Sequence, residues 1–229
     1  MLGRLAILLL LACLLLHGSA VTRHRHPALD SLPTTMLWAW DRPEDLRWLN
    51  DADTGVAYLA ASVILRGDAV QVTPRRPGLQ VNGRLAVIPV VHIDAWRGTP
   101  GLNAAQRDAI VDAVLAVAGR GNRRVVQLDF EARRSQRAFL AELVQGLRAR
   151  LPSDTALSMT ALASWCAGDY WLASIEADEI VPMAFRMAND DAAIRSQLAT
   201  RGRFTAARCQ DAIGLSLDEP PITARAGRY

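Results

Sequence analysis

Three side chains that can form hydrogen bonds or transfer protons alternate with apolar ones in the stretch 125–131, Val-Val-Gln-Leu-Asp-Phe-Glu. Side chains of a β-strand switch faces at every residue, so Gln127, Asp129 and Glu131 share one face and the apolar side chains share the other. Two carboxyl groups one strand repeat apart can do acid–base chemistry where the end of the strand opens into a cleft. The stretch therefore predicts a strand that ends in a candidate active site.

The chemistry that fits these acids is cleavage of a glycosidic bond. That reaction needs one protonated carboxyl group for the leaving oxygen and a second group that supports the oxocarbenium-like transition state. We predict Glu131 as the general acid, and Asp129, about 7 Å away on the same face, would raise the pKa of Glu131 by charge repulsion. Asp218 ends the last predicted strand on its inward face, so it is the expected nucleophile or base.

Other side chains at the same predicted rim are suited to bind a sugar. Tryptophans follow or end several strands, where an indole face can stack on a sugar ring. Taken singly, each tryptophan is also a candidate core residue, because large aromatic side chains are mostly buried. Polar side chains near those strand ends can bind hydroxyl groups. The expected substrate-binding set comprises Trp40, Asp41, His92, Asp94, Gln127, Trp165, Arg186 and Glu219, with Trp96 as a further stacking candidate.

Alternating strand-like and helix-like segments must position these side chains. Apolar, β-branched runs predict seven strands, at 36–40, 55–65, 85–93, 125–130, 157–164, 180–185 and 212–217. Amphipathic helices are predicted at 103–118 and 135–151, with a shorter helix near Asp190 and another after Pro43. An extra strand at 68–73 is expected to form a hairpin with its predecessor.

This alternation builds a parallel sheet, which is either doubly wound or closed into a barrel. Several strands carry polar residues that increase toward the carboxyl end of one face, as His92 and Asp94 do. A doubly wound sheet more often has nearly continuous apolar strands, because helices cover both of its faces. We therefore predict an α/β fold, a TIM-like (β/α) barrel that is incomplete or irregular, with its eighth strand at 68–73, near 221–226, or absent.

The first twenty residues are typical of a secretory signal peptide, with a basic start, an apolar run at 5–16 and small residues at 18–20. The apolar run is too short to span a bilayer, so we expect no integral membrane span in the mature chain. Export to the periplasm or the medium is the expectation, and lipid anchoring at Cys13 is the alternative. A flexible mature N-terminus at 21–34 and a single domain at 35–229 complete the predicted organisation.

Two cysteines, Cys166 and Cys209, lie beyond the predicted signal peptide, and the sequence does not decide whether they form a disulfide. An oxidising compartment would allow the bond. The predicted strands place the two residues at opposite ends of parallel strands, roughly 17 Å apart, unless loops close that gap.

Several classes of function are not supported by the sequence. All 26 basic residues are arginines, nearly balanced by 23 acidic residues and scattered, so no nucleic-acid surface is predicted. No third ligand accompanies His92 and Asp94, which we expect to form a hydrogen-bonded pair rather than a metal site. Ser164 lacks a nucleophile-elbow context, and no glycine-rich phosphate loop occurs. We expect no metal and no cofactor, and the sequence does not predict an oligomeric state.

Segments 40–47, 127–132, 162–166, 181–187 and 213–220 resemble an exported bacterial family called domain of unknown function 3142. That resemblance implies a shared fold and leaves the activity open. More distantly, Asp129-Phe130-Glu131 is similar to the Asp-x-Glu ending of the catalytic strand in chitinase-like barrel glycoside hydrolases, whose Glu is the general acid. Gln127 stands where that longer pattern has another Asp.

Two functions from different classes follow. The first is an exported glycoside hydrolase-like enzyme that acts on a carbohydrate through Glu131. The second is a non-catalytic carbohydrate-binding or cell-envelope protein on the same scaffold, indicated by the short chain and by Gln127. In a purely structural alternative, Asp129 and Glu131 only pair with nearby arginines such as Arg133 or Arg186.

Overall fold

The computed structural model describes residues 25–49, 52–95, 99–121 and 123–229. Within these ranges, strands and helices alternate through most of the chain. The strands are Thr35–Ala39 (β1), Glu44–Leu46 (β2), Thr54–Arg66 (β3), Ala69–Pro74 (β4), Leu79–Val81 (β5), Val87–Asp94 (β6), Val125–Asp129 (β7), Ala156–Leu162 (β8) and Glu179–Met183 (β9). The α-helices are Pro27–Asp30 (α1), Ala104–Gly119 (α2), Arg137–Arg150 (α3), Ala163–Ala167 (α4) and Asp191–Arg201 (α5). Turns of 3₁₀ helix lie at Arg134–Gln136, Tyr170–Ser174, Ala188–Asp190 and Ala207–Cys209.

The main sheet has parallel strands in the order β1-β3-β6-β7-β8-β9, and β4 joins β3 in antiparallel orientation. Their β-branched and aliphatic residues suit a pleated, buried surface. The register aligns His92 of β6 with Asp129 of β7, and Gln127 of β7 with Ser158 of β8. Polar side chains of neighbouring strands therefore lie side by side on one face of the sheet.

The structure is a mixed α/β fold whose parallel strands form a sheet curled into a half-barrel. Residues 212–214 form backbone bridges to Met183 of β9 and to Arg228. Tyr229 makes backbone hydrogen bonds of 2.8 and 2.7 Å to the residues at the start of β1. The segments 212–214 and 228–229 thus link the edge strands β9 and β1 through backbone hydrogen bonds. Neither segment forms a regular strand.

Helices α2 and α3 pack against the face of the sheet that carries Leu128, because each helix has an apolar stripe. Helix α2 begins after Asn103, whose side-chain oxygen accepts the backbone N–H of Gln106 at 2.9 Å. Val114 of α2 and Leu143 of α3 are fully buried in this core. Burial of each large aliphatic side chain stabilises the fold by about 1.5–3 kcal/mol. Both helices were predicted from the sequence and are confirmed.

Two predicted elements are wrong. The helix expected after Pro43 is instead β2, which pairs with β5 in a separate two-stranded parallel sheet. The strand expected at 212–217 is an irregular segment with backbone bridges at Ala212 and Gly214. Gly214 is required there by close packing, since a Cβ atom on it would lie 2.6 Å from the ring of Trp38. By contrast, β4 confirms the predicted hairpin.

A disulfide joins Cys166 of α4 to Cys209, with 5.9 Å between their Cα atoms. The expected separation of roughly 17 Å along a strand is wrong because neither cysteine flanks a strand as predicted. Strand β8 ends at Leu162, and Cys209 lies in a 3₁₀ turn rather than before a strand. The backbone N–H of Ala206 donates to the carbonyl of Cys166 at 3.2 Å, which holds this turn against α4.

The N-terminal predictions fall mostly on residues that the structure does not describe. The signal peptide expected at 1–20, with Cys13, lies outside the described residues. In the segment expected to be flexible, Pro27–Asp30 instead form α1, and Leu29 packs, 1% exposed, among side chains from β3, β6, β7 and β8. None of the described helices combines the length and the apolar character needed to cross a membrane.

Candidate functional site

A cavity of about 860 Å³ opens at the carboxyl ends of the parallel strands. Its volume is in the range of small-molecule sites. The predicted polar face of β7 forms part of the wall, since Gln127, Asp129 and Glu131 all line the cavity. The other polar or charged residues of the wall are His92, Thr160, Ser164, Arg186, Asp190, Ser216 and Asp218. The largest apolar side chains of the wall are Trp38, Trp40, Met183, Phe185 and Met187.

Asp129 is held by hydrogen bonds to both of its carboxylate oxygens. His92 Nδ1 lies 2.7 Å from Asp129 Oδ2, and the hydroxyl of Thr160 donates to Asp129 Oδ1 at 2.6 Å. Asp129 is 5% exposed. The partners of Asp129 are therefore His92 and Thr160, where the sequence led us to expect a His92–Asp94 pair or an arginine. The pairing follows from the register of β6, β7 and β8, which could not be read from the sequence.

His92 lines the cavity, and its Nδ1 is turned toward Asp129. The ring of Trp40 packs edge-on against the imidazole, with 5.5 Å between the ring centroids. Burial lowers the pKa of His92, but the hydrogen bond to Asp129 and the charges of Asp129, Asp94 and Glu131 raise that pKa above its ordinary value of 6.5. The imidazole therefore keeps its proton to a higher pH than a free histidine side chain, which favours its pairing with the Asp129 carboxylate.

Substitution His92→Gln is expected to flatten the dependence of stability on pH. Because its pKa is raised in the folded protein, His92 stabilises the fold fully below pH 6.5, and this contribution is lost as the pH rises through the folded pKa. Urea unfolding of wild type and variant, between about pH 5.5 and pH 8.5, measures both slopes. Equal slopes would show that His92 is not the group responsible.

Glu131 lies just beyond the end of β7 and is half-buried in the cavity wall. Burial raises the pKa of its carboxyl group, and the charge of Asp129 raises it further. The positive charges of His92 and Arg186 act in the opposite direction, but the pKa of Glu131 stays above its ordinary value of 4.5. Glu131 can therefore keep a proton at a higher pH than an exposed glutamate, as a general acid must.

Gln127 does not face a substrate freely, because its amide belongs to a buried chain of hydrogen bonds. Trp38 Nε1 donates to Gln127 Oε1 at 3.0 Å, and Gln127 Nε2 donates to Ser158 Oγ at 3.1 Å. Ser158 Oγ donates to Glu179 Oε2 at 2.9 Å, and Glu179 forms an ion pair with Arg228. This chain supports the floor of the cavity. Trp38, Glu179 and Arg228 were not among the residues predicted from the sequence. The alternation of Ser158 and Thr160 on one face of their predicted strand was the available signal for a polar face there.

Four predicted substrate-binding residues do not line the cavity: Asp41, Asp94, Trp165 and Glu219. Trp165 is 3% exposed and packs at right angles to Trp171 with 4.9 Å between ring centroids, so it is a core residue and not a sugar platform. Asp41 is exposed outside the cavity, and Asp94 is half-buried at the end of β6. Trp96 lies outside the described residues.

Asp218 and Glu219 have different positions. Asp218 lines the cavity and is exposed, and its backbone N–H donates to Ser216 Oγ at 3.2 Å. Glu219 turns away from the wall, accepts the backbone N–H of Arg186 at 2.8 Å and pairs with Arg195 Nη2 at 2.8 Å. The prediction that Glu219 binds substrate is therefore replaced by a structural role for this carboxylate.

The described residues assemble neither a serine nucleophile nor a metal site. Ser164 shares the cavity with His92 and Asp129, yet its hydroxyl makes no hydrogen bond within the described part of the chain, so no serine triad is formed. In the same ranges, no three His, Cys, Asp or Glu side chains are grouped to hold a metal ion.

The loop after β9 has a left-handed backbone at two residues that line the cavity. Arg186 has φ 50° and Ala188 has φ 48°, a region that costs a residue with a Cβ atom roughly 1–2 kcal/mol. Such conformations persist where the surrounding structure enforces them, and they are common at functional sites. Here Glu219 holds the loop through the N–H of Arg186.

Substitution Ala188→Gly is expected to leave stability unchanged or raise it by up to about 1 kcal/mol, because glycine adopts the left-handed region without the steric cost. Ala116, exposed within α2, is the matched control, and Ala116→Gly should lower stability by about 1 kcal/mol. Urea unfolding measures both. A loss at Ala188 as large as that at Ala116 would contradict the left-handed backbone.

Comparisons with known proteins add the following findings. No protein-family model matches the chain. No curated protein matches it. Among solved structures, the chain is similar to the spore cortex-lytic enzyme SleL of Bacillus cereus, with a TM-score of 0.46 and 16% sequence identity. The similarity covers 66% of this chain and 41% of that chain, so the chain matches less than half of the length of SleL.

Proposed function

We propose that this protein processes a carbohydrate outside the cytoplasm, as a glycoside hydrolase-like enzyme with Glu131 as its general acid. The observation that carries the proposal is the position of Glu131, half-buried in a large cavity beside the hydrogen-bonded Asp129. Burial and the charge of Asp129 raise the pKa of Glu131, which suits a carboxyl group that must deliver a proton.

In this mechanism Glu131 protonates the glycosidic oxygen as the bond to the anomeric carbon breaks. Asp129 is fixed by His92 and Thr160, so its charge stays close to Glu131. Asp218, which lines the same cavity from the segment 215–218, is the group proposed to act as nucleophile or to activate water. The indole of Trp40, 39% exposed at the wall, offers a face for a sugar ring.

A non-catalytic, carbohydrate-binding function is the second candidate. It is favoured by the hydrogen bonds that the polar side chains around Glu131 already form. Both oxygens of Asp129 have hydrogen-bond donors, the amide of Gln127 is bound to Trp38 and Ser158, and Asp218 is exposed. A cavity of this kind can bind a sugar without cleaving it.

Export and a TIM-like barrel scaffold are parts of the same proposal. The Cys166–Cys209 disulfide supports export, because disulfides form and persist in oxidising compartments. The bridges at 212–214 and 228–229 support the barrel, since they supply two further positions between β9 and β1. The cavity then occupies the end of the barrel at which active sites of this fold are found.

The test is a comparison of turnover with binding on one panel of polysaccharides and oligosaccharides. Release of new reducing ends measures hydrolysis, and calorimetric titration measures binding. Turnover of at least one glycan is the expected result. Binding without turnover supports the second candidate, and the absence of both rejects a carbohydrate function at this site.

A further inference from the structure

Arg186 places an unpaired guanidinium group at the cavity wall. The residue is exposed, and within the described part of the chain its guanidinium forms neither a hydrogen bond nor an ion pair. Its positive charge nevertheless reaches Glu131, since it lowers the pKa of that carboxyl group. Several other arginines near the sheet are committed to carboxylates, such as Arg195 to Glu219 and Arg228 to Glu179. Arg186 is therefore available to a ligand in the cavity.

The backbone at Arg186 is held in place at an energetic cost. Its φ of 50° is unfavourable for a residue with a Cβ atom, and its N–H is fixed by Glu219 Oε1 at 2.8 Å. The other oxygen of Glu219 accepts from Arg195, which also binds Asp191 of α5 at 2.9 Å. Glu219 thus acts as a positioning residue that keeps Arg186 on the cavity wall.

The charges of the cavity limit the kind of anion that Arg186 can accept. Among the described wall residues, the cationic groups are Arg186 and His92, and His92 is paired with Asp129. The wall also carries the carboxyl groups of Glu131, Asp190 and Asp218, which repel a highly charged anion. A dianion such as a phosphate ester would meet too few positive charges. A single planar carboxylate matches the fork of one guanidinium, which can donate two parallel hydrogen bonds to it.

We propose that Arg186 binds a carboxylate carried by the substrate, so that the preferred substrates of this site are acidic saccharides such as those that contain uronic acids. This inference rests on the proposed carbohydrate function and gives it a substrate class. It also links binding to catalysis. A substrate carboxylate that neutralises Arg186 removes a charge that lowers the pKa of Glu131, so Glu131 holds its proton more firmly once the substrate is bound.

Matched ligands test the inference. Uronic-acid oligosaccharides are titrated calorimetrically into the full chain beside the same oligosaccharides after reduction of their carboxyl groups to alcohols. Wild type should bind the acidic form about tenfold or more tightly than the reduced form, and Arg186→Gln should bind both forms equally. Arg150→Gln removes an exposed arginine on α3 and should behave as wild type.

A second measurement needs no ligand. In the free protein, NMR titration of the Glu131 carboxyl carbon should give a higher pKa in Arg186→Gln than in wild type, because a nearby positive charge is removed. An unchanged pKa overturns the placement of Arg186. Equal binding of acidic and reduced sugars by wild type overturns this inference alone, whereas failure of every sugar to bind overturns the proposed function with it.

Discussion

Glu131→Gln is expected to reduce glycan turnover by about 10²–10⁴-fold while the protein remains folded and still binds its ligand. Glutamine keeps the size and shape of the side chain but cannot deliver a proton to the leaving oxygen. Glu131 is half-buried and forms no ion pair within the described part of the chain, so the substitution removes the proton donor and should leave the fold intact. Initial rates on a glycan that wild type cleaves measure the effect.

A comparison of substrates with different leaving groups distinguishes a general acid from a residue that only shapes the cavity. A glycoside with a strongly acidic phenol as its leaving group needs little protonation, so Glu131→Gln should lose much less activity on it than on a natural glycan. Wild-type activity should also fall as the pH rises through the raised pKa of Glu131. Glu176→Gln, at an exposed position, is the control and should leave both rates unchanged. Equal losses on both substrates would reject Glu131 as the acid.

The polar face of the site could be predicted because it depends on local geometry. Strand residues alternate between two faces, so Gln127, Asp129 and Glu131 had to lie together once 125–131 was identified as a strand. The helices α2 and α3 were predictable for the same reason, since an apolar stripe at helical spacing has one stable orientation against a sheet.

Partners that depend on register and on distant segments could not be predicted. His92 pairs with Asp129 because β6 and β7 align these two residues, and the sequence offers Asp94 as an equally plausible neighbour. Cys209 lies beside Cys166 only because the chain turns back after α5. The sequence predicts Trp165 at the rim because it follows a strand, but helix α4 begins at Ala163 and turns the Trp165 side chain into the core.

Arg228→Ala is expected to lower the free energy of unfolding by about 3–5 kcal/mol, because it leaves the buried carboxylate of Glu179 without its cation. The side chains of Arg228 and Glu179 are 6% and 3% exposed. Arg228 also donates to the backbone carbonyls of Leu29 at 2.7 Å and Pro33 at 3.1 Å, so the variant loses contacts to α1 and to the residues before β1 as well. Urea unfolding at neutral pH measures the loss.

A double-mutant cycle separates the pair from the backbone contacts. The cycle comprises Glu179→Leu, Arg228→Met and the variant with both, in which no uncompensated charge remains. The double variant should recover part of the stability lost in Arg228→Met. The exposed pair of Arg150 and Asp112 provides the control, and Arg150→Ala should cost less than about 1 kcal/mol. If Arg228→Ala costs no more than Arg150→Ala, the buried pair does not hold the floor of the cavity. If the loss is found and the double variant recovers part of it, the ion pair stabilises the end of the hydrogen-bonded chain that leads through Ser158 and Gln127 to Trp38.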